Sequence, residues 1–225
     1  MKKIGTENES ALHNALKNLY TNYNGNTEVE AGGFICDGFL DDGTIIEVQL
    51  GNFAPLKRKA EELCKTRKLV VVFPVVQKKE IHTFDAEGNL VLRRKSPRKG
   101  TEWDLFKSLV YAPALPLQKN FSIDLAFIDI IEWRSRDGKG SWRRGGVSIA
   151  GKTLSAWHGS QRLASPEDYR RFVPFPPGET WTAANLAQKA GIRAHLARKT
   201  LYTLSQMGLV KSDGKKGNAR LWTLV

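Results

Sequence analysis

The sequence predicts an α/β fold, a mixed sheet flanked by helices, with a small helical module appended at the C-terminus. Three observations predict it. Leu69-Val70-Val71-Val72-Phe73 is an unbroken apolar run, the pattern of a strand buried on both faces. Between this run and the strand-like residues 45–50 lies an amphipathic stretch with Leu56, Ala60, Leu63 and Cys64 on one stripe, so a right-handed βαβ crossover should lay the two strands parallel. Beyond the joint Pro174-Phe175-Pro176-Pro177-Gly178-Glu179 the composition turns to helix formers, which sets a first domain of residues 1–165 apart from a second of residues 166–225.

A chain of 225 residues can bury a real core, and a net charge of +12 points to a polyanionic partner. Charge alone does not separate DNA, RNA and an anionic membrane. No apolar run reaches the length of about 18 residues that a membrane helix needs, and the first residues lack the apolar stretch of a signal peptide. A cytoplasmic protein without a membrane anchor is expected. Cys36 and Cys64 fall short of a zinc ligand set and read as buried free thiols.

Taken in order, Thr6-Glu7-Asn8-Glu9 fits a capping box that opens a helix running to about Tyr20, with Leu12, Leu16, Leu19 and Tyr20 on its apolar stripe. Glu9 lies on the inward side of that helix; it either closes the box or brings an acid toward the sheet. Residues 27–40 read as a strand with Gly32-Gly33 marking a bend or bulge. Pro74 should end regular ladder pairing of the apolar strand. Residues 80–85 and 89–94 form a hairpin around Ala86-Glu87-Gly88. Its arm of Arg93, Arg94, Lys95, Arg98 and Lys99 either contacts phosphates or protects a solvated edge. A short helix over 102–111 and a long strand over 121–133 follow. Trp133 and Trp142, interleaved with Arg134, Arg136, Arg143 and Arg144, suit base stacking and phosphate contacts, or are ordinary exposed hairpin residues. Asp124 and Asp129 are secondary acid candidates.

Residues 34–50 carry the sharpest signal, a hairpin with acids. Side chains alternate along a strand, so Ile45, Glu47 and Gln49 share one face, and Ile46, Val48 and Leu50 the other. A three-residue loop Asp41-Asp42-Gly43 pairs Leu40 with Thr44 and puts Asp37 opposite Glu47. A two-residue loop would put Asp37 opposite Val48 and separate the acids.

This arrangement, Asp37 followed by Glu47-Val48-Gln49 on a hairpin with a helix before and a helix and buried strand after, resembles the PD-(D/E)xK nuclease superfamily, over about residues 1–76. The resemblance implies a restriction-endonuclease-like fold and metal-dependent cleavage of DNA. It makes Asp37 and Glu47 ligands of magnesium or manganese, Val48 a carbonyl ligand, and Glu9 the helix acid that some branches add. It also puts Gln49 at the position of the water-activating lysine. Gln49 carries no positive charge, and Lys57 or Lys59 of the next helix is the candidate to supply it. Magnesium suits such a site because it takes a few carboxylate oxygens together with waters and phosphate. A nuclease-fold DNA-binding regulator or assembly protein without turnover is the alternative.

The tail reads as a short helix at 166–172, a helix capped by Thr182 and ending near Ala190, a turn at Gly191, a helix over 193–207 and a terminal hairpin. That order resembles winged helix-turn-helix domains. The resemblance places Arg193, His195, Arg198 and Lys199 on the groove-facing helix and Lys215 and Lys216 on the wing, toward double-stranded DNA. Such domains also serve as protein-interaction modules. Nucleases of this kind often dimerise, although no residue here marks an interface.

Overall fold

The computed structural model describes residues 10–21 and 29–225. Helix α1 (Ala11–Tyr20) is capped by Ser10, whose hydroxyl accepts the His13 N–H; the expected Thr6 cap and Glu9 lie outside the described residues. Strands β1 (Val29–Ala31) and β2 (Phe34–Cys36) form a small separate hairpin. Gly32 and Gly33, both at positive φ, make its turn, so the expected bent single strand is instead two paired strands.

The main sheet contains β3 (Gly38–Phe39), β4 (Ile45–Val48), β5 (Leu69–Phe84), β6 (Leu90–Lys95), β7 (Phe121–Ser135) and β8 (Ser148–Leu163). Its order is β3-β4-β5-β7-β8, with β6 beside the far half of β5. The sheet is mixed: β4, β5 and β7 run parallel, while β3, β6 and β8 pair antiparallel with their neighbours. The crossover from β4 to β5 passes through α2 (Leu56–Leu63), as the alternation of strand and amphipathic helix predicts.

Pro74 does not end β5. It pairs across from Ala126 of β7. On the other edge, the Val72 carbonyl accepts from Gln49 N and the Val76 carbonyl from Gly100 N, and between them β4 has already ended. The missing proline N–H faces that gap, so no ladder bond is lost. Strand β8 is much longer than the expected 147–149 segment and runs the full length of β7. Register shifts lie at similar height in both pairings of β7, at Val76/Lys78 against β5 and at Ala126/Ile128 and Asp129/Ile130 against β8.

Each face of the sheet has its own core. Leu12 and Leu16 of α1 pack with Ile46, Val48, Val70, Val72, Ala126 and Ile128. The opposite face buries Ile45, Leu69, Val71, Phe73, Ile123 and Leu125 under α2 and under α3 (Phe106–Leu109).

The tail continues this second core. A 3₁₀ turn at Pro166–Phe172 sets Phe172 edge-on against Phe106 and Trp103. It is followed by β9 (Trp181–Thr182), α4 (Ala183–Ala190), α5 (Ala194–Gln206), β10 (Val210–Lys216) and β11 (Ala219–Leu224). Thr182 caps α4 and Gly191 ends it in the left-handed conformation, as expected from the sequence. Strands β10, β11 and β9 form a three-stranded antiparallel sheet. No helix among the described residues is long and apolar enough to cross a membrane.

Candidate active site

The β3–β4 hairpin has the three-residue loop. Leu40 N donates to Thr44 O at 2.9 Å, Gly43 sits at φ +78°, and the register Gly38↔Ile46 and Phe39↔Ile45 extends to Asp37 opposite Glu47. The Asp42 carboxylate accepts from Thr44 N and fixes the loop. Asp37 stands just before β3, where its side chain takes over the ladder: Asp37 Oδ2 accepts from Val48 N at 2.7 Å, and Asp37 N donates to Glu47 Oε1 at 3.2 Å. The two carboxylates are therefore neighbours at the sheet edge.

Each acid receives a basic side chain from a different helix. On the α1 side, His13 Nε2 lies 3.2 Å from Asp37 Oδ2 and 3.1 Å from the Val48 carbonyl oxygen. On the α2 side, the Lys59 ammonium contacts Glu47 Oε1 and donates to the Ile35 carbonyl at 2.5 Å. Burial raises the Asp37 carboxyl, but hydrogen bonds from His13 and the Val48 N–H, with the charges of His13 and Lys17, outweigh it and hold Asp37 below the usual carboxylate range. For Glu47 the balance is reversed. Burial, helped by the Asp37 charge, exceeds the effect of Lys59 and raises it. Burial also pushes the neighbouring Cys36 thiol up to about 11, so it is a protonated thiol at neutral pH; Cys64, likewise buried and free, stands at about 11.

Five of the expected residues behave differently. Glu9 lies outside the described residues. Gln49 shares the Glu47 face but turns to the Asn52 carbonyl, 2.5 Å away. Lys57 is exposed, and Lys59 alone of the two helix lysines reaches an acid. Asp124 and Asp129 are engaged elsewhere, Asp124 in a two-pronged bond with Arg162 and Asp129 with His158 at 3.0 Å. His13 is the residue that sequence reasoning missed. Its signal was its place beside the Leu12 and Leu16 stripe, four residues before Lys17, which also lies against the sheet.

Among the described residues no three of His, Cys, Asp and Glu gather into a metal cluster. The donors present are the Asp37 and Glu47 carboxylates, the Val48 carbonyl and the His13 imidazole. His13 Nε2 is 3.1–3.2 Å from Val48 O and Asp37 Oδ2, within hydrogen-bond distance of both.

The basic residues fall in two places. Arg193, His195 and Arg198 are exposed along α5. Lys199 is half-buried, its ammonium 5.3 Å from the Tyr111 ring, so it ties α5 to the first domain. Lys215 and Lys216 are exposed on β10 itself, beside the Gly217-Asn218 turn, not in a longer loop. Arg143 and Arg144 are exposed at the end of the β7–β8 hairpin, at the opposite end of β7 from the residues nearest the acids.

An uncharacterized protein of Treponema pallidum (strain Nichols) is 27% identical over 221 residues, covering 97% of this chain and 86% of that protein. No solved structure gives a significant match. A family model described as a domain of unknown function, DUF8091, matches residues 10–164, and the chain belongs to that family.

Proposed function

We propose that the protein is a metal-dependent DNA endonuclease of the PD-(D/E)xK type, with a winged helix-turn-helix tail that positions double-stranded DNA. One observation carries the reading: Asp37 and Glu47 stand side by side on adjacent antiparallel strands at the sheet edge, with an ammonium at Glu47. The carboxylates of both acids and the Val48 carbonyl would hold magnesium or manganese, and His13 adds a nitrogen donor. When bound, such a cation neutralises phosphate charge and makes water more acidic. Lys59 fills the role that Gln49 lacks, a positive charge beside the acids where negative charge develops during phosphodiester hydrolysis. Thr182-capped α4, the glycine turn and α5 give the helix-turn-helix, β10 and β11 the wing, and Arg193, His195 and Arg198 the groove-facing cations.

A second reading is favoured by the same geometry. Both acids already carry basic partners within the chain, His13 at Asp37 and Lys59 at Glu47, which suits a DNA-binding regulator that keeps the fold without turnover. Plasmid nicking with added magnesium or manganese separates the two. Wild type should nick while Asp37→Ala and Glu47→Ala should not. Salt-sensitive binding without any metal-dependent nicking selects the regulator, and undiminished nicking by both variants rejects the assigned site.

A further inference from the structure

The turn joining β7 to β8 is built to present one aromatic ring. Trp142 is 85% exposed, although a side chain of this size normally buries most of its surface. The turn around it is internally tied. Asp137 accepts from Lys139 N and from the Ser148 hydroxyl, Gly140 N donates to Gly146 O at 2.7 Å, and Arg144 Nε donates to Val147 O. A Cβ on Gly140 would lie 1.9 Å from the Val147 oxygen, so the crossing of the two arms tolerates no side chain there. Gly145 closes the 3₁₀ turn of Trp142–Arg144 in the left-handed conformation. All these bonds order a loop whose one large apolar side chain points at solvent.

The ring sits in a basic segment. Between residues 136 and 147 there are four cations, Arg136, Lys139, Arg143 and Arg144, and one acid, Asp137, which the turn itself occupies. The Arg143 guanidinium lies 6.0 Å from the Trp142 ring centroid. A flat exposed ring with one guanidinium beside it, in a basic turn, matches a base and its neighbouring phosphates. A bilayer surface would ask for a broader apolar face around the cations than one indole provides.

We infer that this tip is a base-stacking finger: Trp142 stacks on an unpaired base of single-stranded DNA while Arg143 and Arg144 hold its phosphates. The inference rests on the polynucleotide part of the proposed function and not on cleavage. It adds a second contact surface, at the far end of the long strands from the acids, that takes single strands where α5 takes duplex.

The test is binding, measured by anisotropy of a labelled 20-nucleotide oligothymidine and of a labelled duplex, without divalent metal. Trp142→Ala should weaken single-strand binding about tenfold, Trp142→Phe should retain most of it, and Trp142→Leu should behave as alanine does. Duplex binding should change little. The Arg143→Ser/Arg144→Ser pair should lower the salt dependence of single-strand binding by roughly 1.4 in log–log slope, about 0.7 for each lost phosphate contact. If wild type binds oligothymidine and Trp142→Ala binds it equally well, the finger is rejected and the endonuclease proposal stands. If wild type binds neither oligonucleotide, both fall. If Trp142→Leu retains binding, or vesicles of phosphatidylserine and phosphatidylcholine bind in a Trp142-dependent way while oligothymidine does not, the surface is an apolar or membrane contact and the stacking assignment is wrong.

Discussion

Lys59 serves two acceptors at once, the Glu47 carboxylate and the Ile35 carbonyl, so helix α2 delivers to the acids the charge that the strand position Gln49 lacks. Replacing it with methionine keeps the length of the side chain and removes the charge. Lys59→Met should lose about 3 kcal/mol of stability at neutral pH, because Glu47 is left mostly buried without its cation. Glu47 already lies above its ordinary 4.5, and a raised carboxyl gives up stability as pH rises through its folded value. The deficit of Lys59→Met against wild type should therefore grow from about pH 4.5 upward and shrink below it. Nicking should fall at least 100-fold, whereas Gln49→Ala should stay within a few-fold of wild type.

Asp37 gives the opposite pH behaviour. Its carboxyl is held below 3.8, so it contributes stability above that pH and loses it as pH falls through the lower folded value. Asp37→Asn should cost about 2 kcal/mol at pH 7, the worth of hydrogen bonds to a charged acceptor. Urea midpoints of wild type and variant should differ at pH 7 and draw together at acid pH, below 3.8. A cost that is equal at both pH values would show that the Asp37 charge has no part in it.

Gly38 limits how closely α1 approaches the acids. A Cβ there would lie 2.4 Å from Thr21 Cγ2, and the Thr21 hydroxyl is bonded to the Lys17 carbonyl at the end of α1. Gly38→Ala should destabilise by about 1–3 kcal/mol and draw His13 off Asp37. Adding Thr21→Ser, which removes the obstructing methyl, should recover most of the loss in thermal denaturation.

In the tail, exposure divides the cations of α5. Arg193→Ser with Arg198→Ser should reduce the salt dependence of duplex binding by about 1.8 in log–log slope, 0.9 for each released phosphate. Lys199→Ser should leave that slope unchanged and lower stability instead, because its ammonium sits over Tyr111.

The parts of the fold that the sequence made legible are those governed by local rules. The Asp41-Asp42-Gly43 loop fixed the hairpin register, strand periodicity put Glu47 on the α2 face, and Thr182 and Gly191 marked the ends of α4. What stayed hidden depends on partners far apart in the chain. His13 meets Asp37 only because Leu12 and Leu16 seat α1 over Val48 and Val70. Pro74 stays inside β5 because whether a strand needs a given N–H depends on where β4 stops. Glycines hid the two strands of the β1–β2 hairpin, since a Gly-Gly pair serves a bulge as well as a turn. Contact between the tail and the sheet domain also has no local sign in the sequence. Phe172 and the apolar face of α5 share one core with Phe106 and Leu109, so loss of residues 166–225 would strip apolar cover from the sheet domain.

Strand β5 has a consequence for how this protein can vary. It pairs with β4 beside the acids and, beyond Pro74, with β6, and the Phe84 carbonyl accepts from Arg136 N at the base of the Trp142 turn. One unbroken strand thus sets the span between the two ends. Parity governs any change in it. An inserted pair of residues lengthens the span by about 7 Å and keeps every side chain on its face, provided β7 and β8 gain matching pairs. A single inserted residue must be absorbed as a bulge, as Gln77 is, or every side chain beyond it changes sides.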